Sequence, residues 1–407
     1  VEKRVYYFGG SCRWFSVKGL RCIWCILIGI STQAIQTMNT QNPIEKLTIR
    51  GFKSIRQLEQ FPLTDLNVLI GANGSGKSNF VSYFRMLGEL VDNRLQSWVA
   101  KQGGADRILS FGIKETSKLE SFIEFGFNGY KFVLESTLDS SFIFTQEKLY
   151  FSGVYYGPEW KSLGSGHDEA ELQKYYNKTP KGHVADYCYN SIASWKVFHF
   201  HDTSDTAGVK RLCSLHDNEY LRQDASNLAA FLYRMKAEHP DVYQQICKTI
   251  RLAVPFFDDF VLKPHKLPTE EEQLRLLWRQ QDSDYALWPS QLSDGSIRFI
   301  CLVTALLQPD PPSTIIIDEP ELGLHPYAIK LLGSLLRSAS KRMQVIISTQ
   351  SVPLVNEFTV EDLVIVEREQ GATVFKRLDA QNLQLWLDEY SVGELWEKNI
   401  LGGRPHK

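Results

Sequence analysis

The stretch Gly71-Ala72-Asn73-Gly74-Ser75-Gly76-Lys77-Ser78 constrains this chain more than any other. It fills the pattern G-x-x-x-x-G-K-[ST] at every fixed position. Glycine-rich backbone of this kind turns its N–H groups inward around a phosphate chain. A lysine at this offset reaches the β- and γ-phosphates, and the hydroxyl that follows holds Mg²⁺. The context agrees: Leu66, Val68 and Ile70 lead in with strand-like alternation, and Phe80, Phe84, Leu87 and Val91 lead out at helical spacing. A strand, a glycine loop and a helix N-terminus together make an anion site. The expected phosphate-binding set is Gly71, Asn73, Gly74, Gly76, Lys77, Ser78 and the adjoining Asn79.

Three further segments bear on that site. Ile315-Ile316-Ile317-Asp318-Glu319-Pro320 reads as a buried strand with carboxylates at its C-terminal end. Beside a phosphate loop, Asp318 is placed to steady Mg²⁺ and Glu319 to polarise an attacking water. Leu292-Ser293-Asp294-Gly295-Ser296 opens an apolar helical run from Phe299 to Leu307. Taken alone it is a turn and helix cap. Val345-Ile346-Ile347-Ser348-Thr349-Gln350-Ser351 is another apolar strand ending in polar residues.

The order of these four segments is that of the ABC ATPase superfamily, and the third resembles its L-S-G-G-Q signature. The resemblance implies that Ser293 and Gly295 of one subunit cap the γ-phosphate held by another, with Ser296, which stands where the signature has a glutamine, among the nucleotide-binding residues. Asp294 stands where the signature has a glycine, and an acid near phosphate is unfavourable, so Asp294 is expected to point away. Gln350 stands where the superfamily has a γ-phosphate-sensing histidine, and it can donate a hydrogen bond but cannot titrate. Leu47-Thr48-Ile49-Arg50-Gly51-Phe52-Lys53-Ser54-Ile55 and Glu321-Leu322-Gly323-Leu324-His325-Pro326 resemble the RecF/SMC/OLD-like branch, in which a basic residue and a serine, here Lys53 and Ser54, touch the nucleotide. The tail, Glu394 to Glu397 and Gly402 to Pro405, is similar to that of compact RecF-like bacterial ATPases, several of which sit in phage-defence or DNA-maintenance modules. The resemblance runs from about Ile44 to the end of the chain.

Composition sets outer bounds. A chain of 407 residues with 43% apolar content buries a full core. Lys plus Arg is 45 and Asp plus Glu is 47, which excludes attachment to DNA through bulk positive charge and leaves room for a local basic groove. Seven cysteines without a framework suit a reducing, cytoplasmic setting.

The segment before the first methionine, residues 1–37, is expected to be an upstream extension outside the fold, with a membrane-touching leader as the alternative. Its apolar run Cys22 to Ile30 is shorter than the roughly 20 residues a bilayer span needs, so stable membrane insertion is not expected. Cys22 and Cys25 form a C-x-x-C with no second pair to complete a zinc site.

Residues 38–114 and 286–378 are expected to build the ATPase head and 115–285 an inserted α+β lobe, with 379–407 a helical tail. The long interval between Ser78 and Leu292 shows no sustained heptads. Phe122–Phe127, Lys131–Leu134 and Lys148–Tyr156 read as strands around an Asn128-Gly129 turn. Residues 159–181 read as a mobile loop, and helices are expected over Ser226–Glu238 and Asp241–Leu252, split by Pro240. Leu363–Val366 and Thr373–Phe375 read as a hairpin. The fold expected is therefore α/β: an ABC-type P-loop ATPase head with a mixed sheet, an inserted α+β lobe and no long coiled coil.

Two groups stay open at this level. His199, His201, Cys213 and His216 fall close together, but their spacing matches no common zinc pattern, which favours a structural reading. ABC ATPases carry a glutamine that binds Mg²⁺ and the attacking water. Gln102 is the best-placed candidate, and a Gly-Gly turn with an incidental glutamine reads equally well. Arg107 could face a phosphate or a partner.

The resemblance implies ATP and Mg²⁺ as ligands and an ATP-dependent homodimer, or higher oligomer, working as a switch in DNA maintenance or anti-phage defence. No nuclease motif follows the ATPase segments, so a separate effector such as a nuclease is the expected partner, and double-stranded DNA is a candidate one. An ABC transporter-type motor and a scaffold with little turnover are the alternatives. The transporter reading sits poorly with the inserted lobe and with Gln350, the scaffold with the presence of Lys77, Ser78, Asp318 and Glu319 together.

Overall fold

The computed structural model describes residues 43–153 and 157–403, so the expectations for residues 1–37 lie outside it. Two six-stranded sheets organise the chain. The first is antiparallel throughout, in the order β2 (Ile55–Pro62), β1 (Lys46–Phe52), β4 (Lys118–Phe125), β5 (Asn128–Ser136), β6 (Phe142–Phe151), β7 (Glu159–Gly164). The second runs β18 (Ala372–Arg377), β17 (Leu363–Glu369), β3 (Leu66–Ile70), β16 (Gln344–Thr349), β15 (Thr314–Asp318), β8 (Lys196–Phe198). Its strands are parallel except β18, which returns antiparallel to β17. Strands are numbered along the chain. Two three-stranded sheets, β10 (Phe257–Val261) with β13 (Leu277–Gln280) and β14 (Ala286–Leu287), and β11 (His265–Lys266) with β12 (Glu272–Leu274) and β9 (Cys213–Ser214), complete the set.

The second sheet is buried on both faces, which is why its strands are near-continuous apolar runs. Val68, Ile315, Ile317, Val345 and Ile347 enter one core with the helices Leu228–Glu238, Asp294–Leu307 and Pro326–Ser340. Leu69, Ile316, Ile346 and Val364 enter the other, with the helix Lys77–Val91 and the inner face of the antiparallel sheet. That helix is covered from both sides. The apolar stripe at Phe80, Phe84, Leu87 and Val91 is therefore joined in burial by Val81, Tyr83, Met86 and Leu90. Phe84 meets Phe80, Tyr83 and Trp195 at ring-centroid distances of 5.2, 5.6 and 5.4 Å. Replacing it with alanine removes these contacts, and Phe84→Ala is expected to cost about 3–5 kcal/mol, read as a lower urea midpoint at unchanged slope.

Several local expectations shift. The β4–β5 hairpin turns at Gly126-Phe127, not at Asn128-Gly129: Phe125 pairs with Asn128, which is buried and already starts β5. β4 begins at Lys118 and β6 at Phe142, earlier than the apolar runs indicate, because both are long strands with polar residues on their open face. Residues 159–181 are not a structureless loop. Glu159–Gly164 pairs with β6 as an edge strand, and the helix Leu172–Lys178 follows, its first amide N–H groups held by the buried carboxylate of Glu147. An edge strand exposed on nearly all its side chains leaves no burial pattern to read. The helices Leu228–Glu238 and Pro240–Ala253 form where expected, with Pro240 as the first residue of the second rather than a spacer. A boundary at 114/115 runs through the antiparallel sheet, because β4 pairs with β1. The segment between β8 and the helix Asp294–Leu307 carries the two three-stranded sheets, and its helices pack into the core of the parallel sheet. Among the described residues no helix is long and apolar enough to cross a membrane.

Candidate active site

The parallel strands β3, β16 and β15 lie side by side, so the residues after their C-terminal ends share one crevice. The phosphate loop leaves β3, Gln350 follows β16, and Asp318 ends β15 with Glu319 just beyond. Sequence positions far apart are thereby brought to one place. Lys77 is buried at the start of the helix Lys77–Val91, and its ammonium donates to the carbonyls of Gly71 (2.7 Å) and Ala72 (3.1 Å). Burial draws the Lys77 pKa below its ordinary value, while the carboxylates of Glu319, Asp318 and Glu321 pull it back up. One buried cation among three acids is the electrostatic signature of the crevice.

The loop itself fits a phosphate chain. Gly74 and Gly76 have φ of 77° and 113°, which side-chain-bearing residues avoid. A Cβ on Gly76 would stand 2.0 Å from Thr373 Oγ1, and one on Gly71 2.1 Å from the Val366 carbonyl. Ser75 Oγ is buried without a hydrogen-bond partner, and Asn73, Gly74 and Ser78 are exposed. Open backbone, an orphaned hydroxyl and a helix N-terminus suit an anion, and the Ser78 hydroxyl with the Asp318 carboxylate suits a hard divalent cation.

The acids are held individually. Ser348 Oγ donates to Asp318 Oδ1, and His201 Nε2 lies 2.9 Å from the Asp318 carbonyl. Glu319 sits at a φ of 44°, an uncommon conformation for a non-glycine residue, with its N–H donating to the Ser348 carbonyl. Gln350 Nε2 donates to Glu319 Oε1 at 2.6 Å. Glu321, which the motif reading did not single out, accepts from Thr349 Oγ1 at 2.5 Å and from the Gln350 N–H at 3.2 Å. Burial raises its pKa. It fastens the turn after β15 to the turn after β16.

Lys53 and Ser54 diverge. Ser54 Oγ accepts from Asn79 Nδ2 (2.7 Å) and lies 2.6 Å from Thr373 Oγ1, which itself donates to the Ser75 carbonyl (2.8 Å). Ser54, Asn79 and Thr373 thus brace the loop from β1–β2 and β18 together. Lys53 instead reaches Ser82 Oγ at 2.7 Å and Gln102 Oε1 at 3.3 Å. Gln102 closes the helix Leu95–Gln102, and among the described residues no hydrogen bond joins it to Ser78 or Asp318. The strand beside Asp318 is β8, where Phe198 pairs with Ile317, so His199 comes next to the Asp318 end. Burial, with His201 and Arg85 nearby, holds the His199 imidazole below its usual pKa. The His199 and His201 rings lie 4.2 Å apart, tilted by 44°, while Cys213 lies in β9 with its thiol toward the Leu274 carbonyl.

The signature-like turn is a helix start. Ser293 Oγ accepts from the Ser296 N–H at 3.2 Å and lies 2.9 Å from Ser296 Oγ. Asp294 turns toward Lys210, 3.9 Å away. Gly295 rests on the turn after β15: a Cβ there would be 2.4 Å from the Gly323 carbonyl. Arg298 donates to the carbonyls of Phe200 (3.0 Å), His201 (2.8 Å) and Leu322 (2.7 Å), so this helix is tied to both turns flanking Asp318. Among the described residues no hydrogen bond links Ser293–Ser296 to the phosphate loop of the same chain.

The fold is that of an ABC/SMC-like P-loop ATPase head. The family model described as "AAA domain, putative AbiEii toxin, Type IV TA system" matches residues 66–356, and the chain belongs to this family. Among solved structures it is similar to an Smc head bound to the C-winged helix domain of ScpA, with a TM-score of 0.54 and 15% identity over 84% of this chain and 99% of that one. It is also similar to an Smc head domain with an extended coiled coil, derived from Pyrococcus furiosus and bound to the C-terminal domain of ScpA, with a TM-score of 0.52 and 14% identity over 86% of this chain and 99% of that one. At such identity the likeness is one of fold. No curated protein matches the sequence.

Proposed function

We propose that the protein binds and hydrolyses ATP at a site completed by a second copy of itself, and acts as an ATP-driven switch. The observation that supports this reading most is the glycine loop, with Lys77 buried against the Gly71 and Ala72 carbonyls, sharing the crevice at the ends of β3, β16 and β15 with Asp318 and Glu319. Ser78 and Asp318 would hold Mg²⁺, which supplies charge neutralisation at the phosphate oxygens when bound. Lys77 and the loop N–H groups hold the phosphates. Glu319, kept in place by Gln350, orients and accepts a proton from the attacking water. Catalysis here is placement and charge compensation.

The second copy enters because Ser293 and Gly295 are exposed or half-exposed at the head of a rigid helix and make no bond to their own phosphate loop. Offered to a partner's γ-phosphate, they form contacts that exist only with ATP, so ATP shifts the dimer population. Ser293→Arg is expected to keep nucleotide binding and lose turnover, measured by ATP titration and phosphate release. The decisive experiment mixes Ser293→Arg with Lys77→Ala. A shared site gives one intact pairing, and the mixture recovers turnover that neither variant has alone. A mixture as inactive as its components overturns the shared site.

We further propose that the switch serves DNA maintenance or anti-phage defence through a separate effector. The family description, with its toxin and toxin–antitoxin terms, supports a two-component setting, and the Smc heads named above are themselves held by a partner protein. Stimulation of turnover by double-stranded DNA tests one form of this reading. Co-purification of an effector from the native host tests the other.

A further inference from the structure

The end of the described chain lies against the start of the phosphate loop. The helix Val392–Glu397 is capped by Ser391 and Glu394, which satisfy each other's N–H groups. It docks on the short helix Val352–Val355 that follows Gln350: the Gly393 N–H donates to Asn356 Oδ1 at 2.7 Å, and a Cβ on Gly393 would stand 2.7 Å from Val352 Cγ1. Leu395 and Leu401 are buried in the core shared by the parallel sheet. The chain then crosses to β17, where the Gly403 N–H donates to Glu367 Oε1 at 2.7 Å. Gly402 and Gly403 have φ of 85° and 82°. A Cβ on Gly403 would lie 3.4 Å from the Cα of Gly71, 3.3 Å from Trp396 Nε1 and 3.3 Å from Ile365 Cγ2.

Between this segment and the loop is a cavity of about 380 Å³, bounded by Gly71, Asn73, Gln350, Trp396, Gly403 and the acid Glu397. Trp396 is 8% exposed, and its indole N–H has no hydrogen-bond partner. The indole nitrogen is packed beside Gly403, so the ring backs the glycine contact with a stiff, buried surface.

We propose that Trp396–Gly403 forms the second wall of the nucleotide site and fixes the Gly71–Gly74 half of the loop, with Trp396 and Gly403 as positioning residues for ATP binding. The Lys77 half is anchored by its own helix. The first half consists largely of residues with little side chain, and it gains rigidity from glycine-on-glycine contact with Gly403 and from the indole. Loop N–H groups bind phosphate well only if they are held in place beforehand. The same segment touches the turn after Gln350, so it joins the phosphate loop to the residue that holds Glu319.

This inference rests on the ATP reading, and its test separates the two. Affinity for ATP, KM and kcat are measured on the full chain for Gly403→Val, Trp396→Ala and Trp396→Phe, with circular dichroism and thermal melting as folding checks. Gly403→Val places a β-branched residue at a positive φ against Gly71. It is expected to weaken ATP binding about tenfold while kcat at saturation changes far less. Trp396→Ala is expected to act in the same direction. Trp396→Phe keeps a ring in the wall and is expected to recover most of the affinity. Wild-type affinity in both Gly403→Val and Trp396→Ala overturns the wall. So does an equal fall of kcat, affinity and melting temperature, which marks a general loss of structure. A wild-type chain that does not bind ATP overturns the hydrolase reading itself.

Discussion

Lys77→Ala is expected to abolish ATP binding and, with it, turnover. The ammonium donates to two backbone carbonyls of the loop, and the carboxylates of Glu319, Asp318 and Glu321 act on it electrostatically. Its loss leaves three acids facing the place a polyanion must enter. A hydrogen bond to a charged group contributes roughly 1.5–3 kcal/mol, and about 3 kcal/mol corresponds to a hundredfold in affinity. Like-charge repulsion from the three carboxylates adds to that figure. The variant should remain folded, because the helix Lys77–Val91 is anchored by Phe80, Phe84 and Leu87 and not by its first residue. Thermal melting provides the measurement: ligand at a hundred times its Kd stabilises a protein by about 2.7 kcal/mol, so ATP should raise the wild-type melting temperature and leave that of Lys77→Ala unmoved. An undiminished shift in the variant would exclude the phosphate loop as the nucleotide site.

The elements that sequence reasoning recovers here share a physical trait: their requirement is local. A phosphate loop needs glycines, a lysine and a hydroxyl within one turn of chain, so Gly71 to Ser78 is readable as a contiguous word. The strand that ends at Asp318 follows from an apolar run, and it is buried at every position. The Leu228–Glu238 and Pro240–Ala253 helices follow from their 3.6-residue period and the proline between them.

The unreadable parts depend on partners distant in sequence. Thr373 braces Ser75 from 298 positions away, and nothing in the local residues of β18 announces it. Arg298 looks like any helix-surface arginine until the fold places three carbonyls from two turns in its reach. Trp396 and Gly403 belong to a tail whose sequence suggests a family, while its contact with Gly71 emerges only from the fold. The residue beside Asp318 is the clearest case. Sheet order brings β8 next to β15, so His201, 117 positions away along the chain, lies at the Asp318 carbonyl. Strand order is a tertiary property that a linear scan does not contain.

Glu319→Gln is expected to separate binding from chemistry. The amide is the same size as the carboxylate and can still accept from Gln350 Nε2 through its oxygen, so the turn at φ 44° keeps its shape. What disappears is the ability to take a proton from water. General-base catalysis contributes about 10²–10⁴-fold, and turnover should fall by that much while ATP affinity stays near wild type. Because Ser293 and Gly295 would engage only an intact γ-phosphate, the variant should also accumulate as an ATP-bound dimer, which sedimentation velocity resolves from the monomer. The two readouts constrain each other. A large fall in turnover without dimer accumulation would place the signature-like turn outside the reaction, and the Glu319 base would act within one chain. Dimer accumulation at unchanged turnover would move the base elsewhere, and Glu321 would be the next acid to replace, since it already contacts the Gln350 turn through Thr349 and the Gln350 N–H.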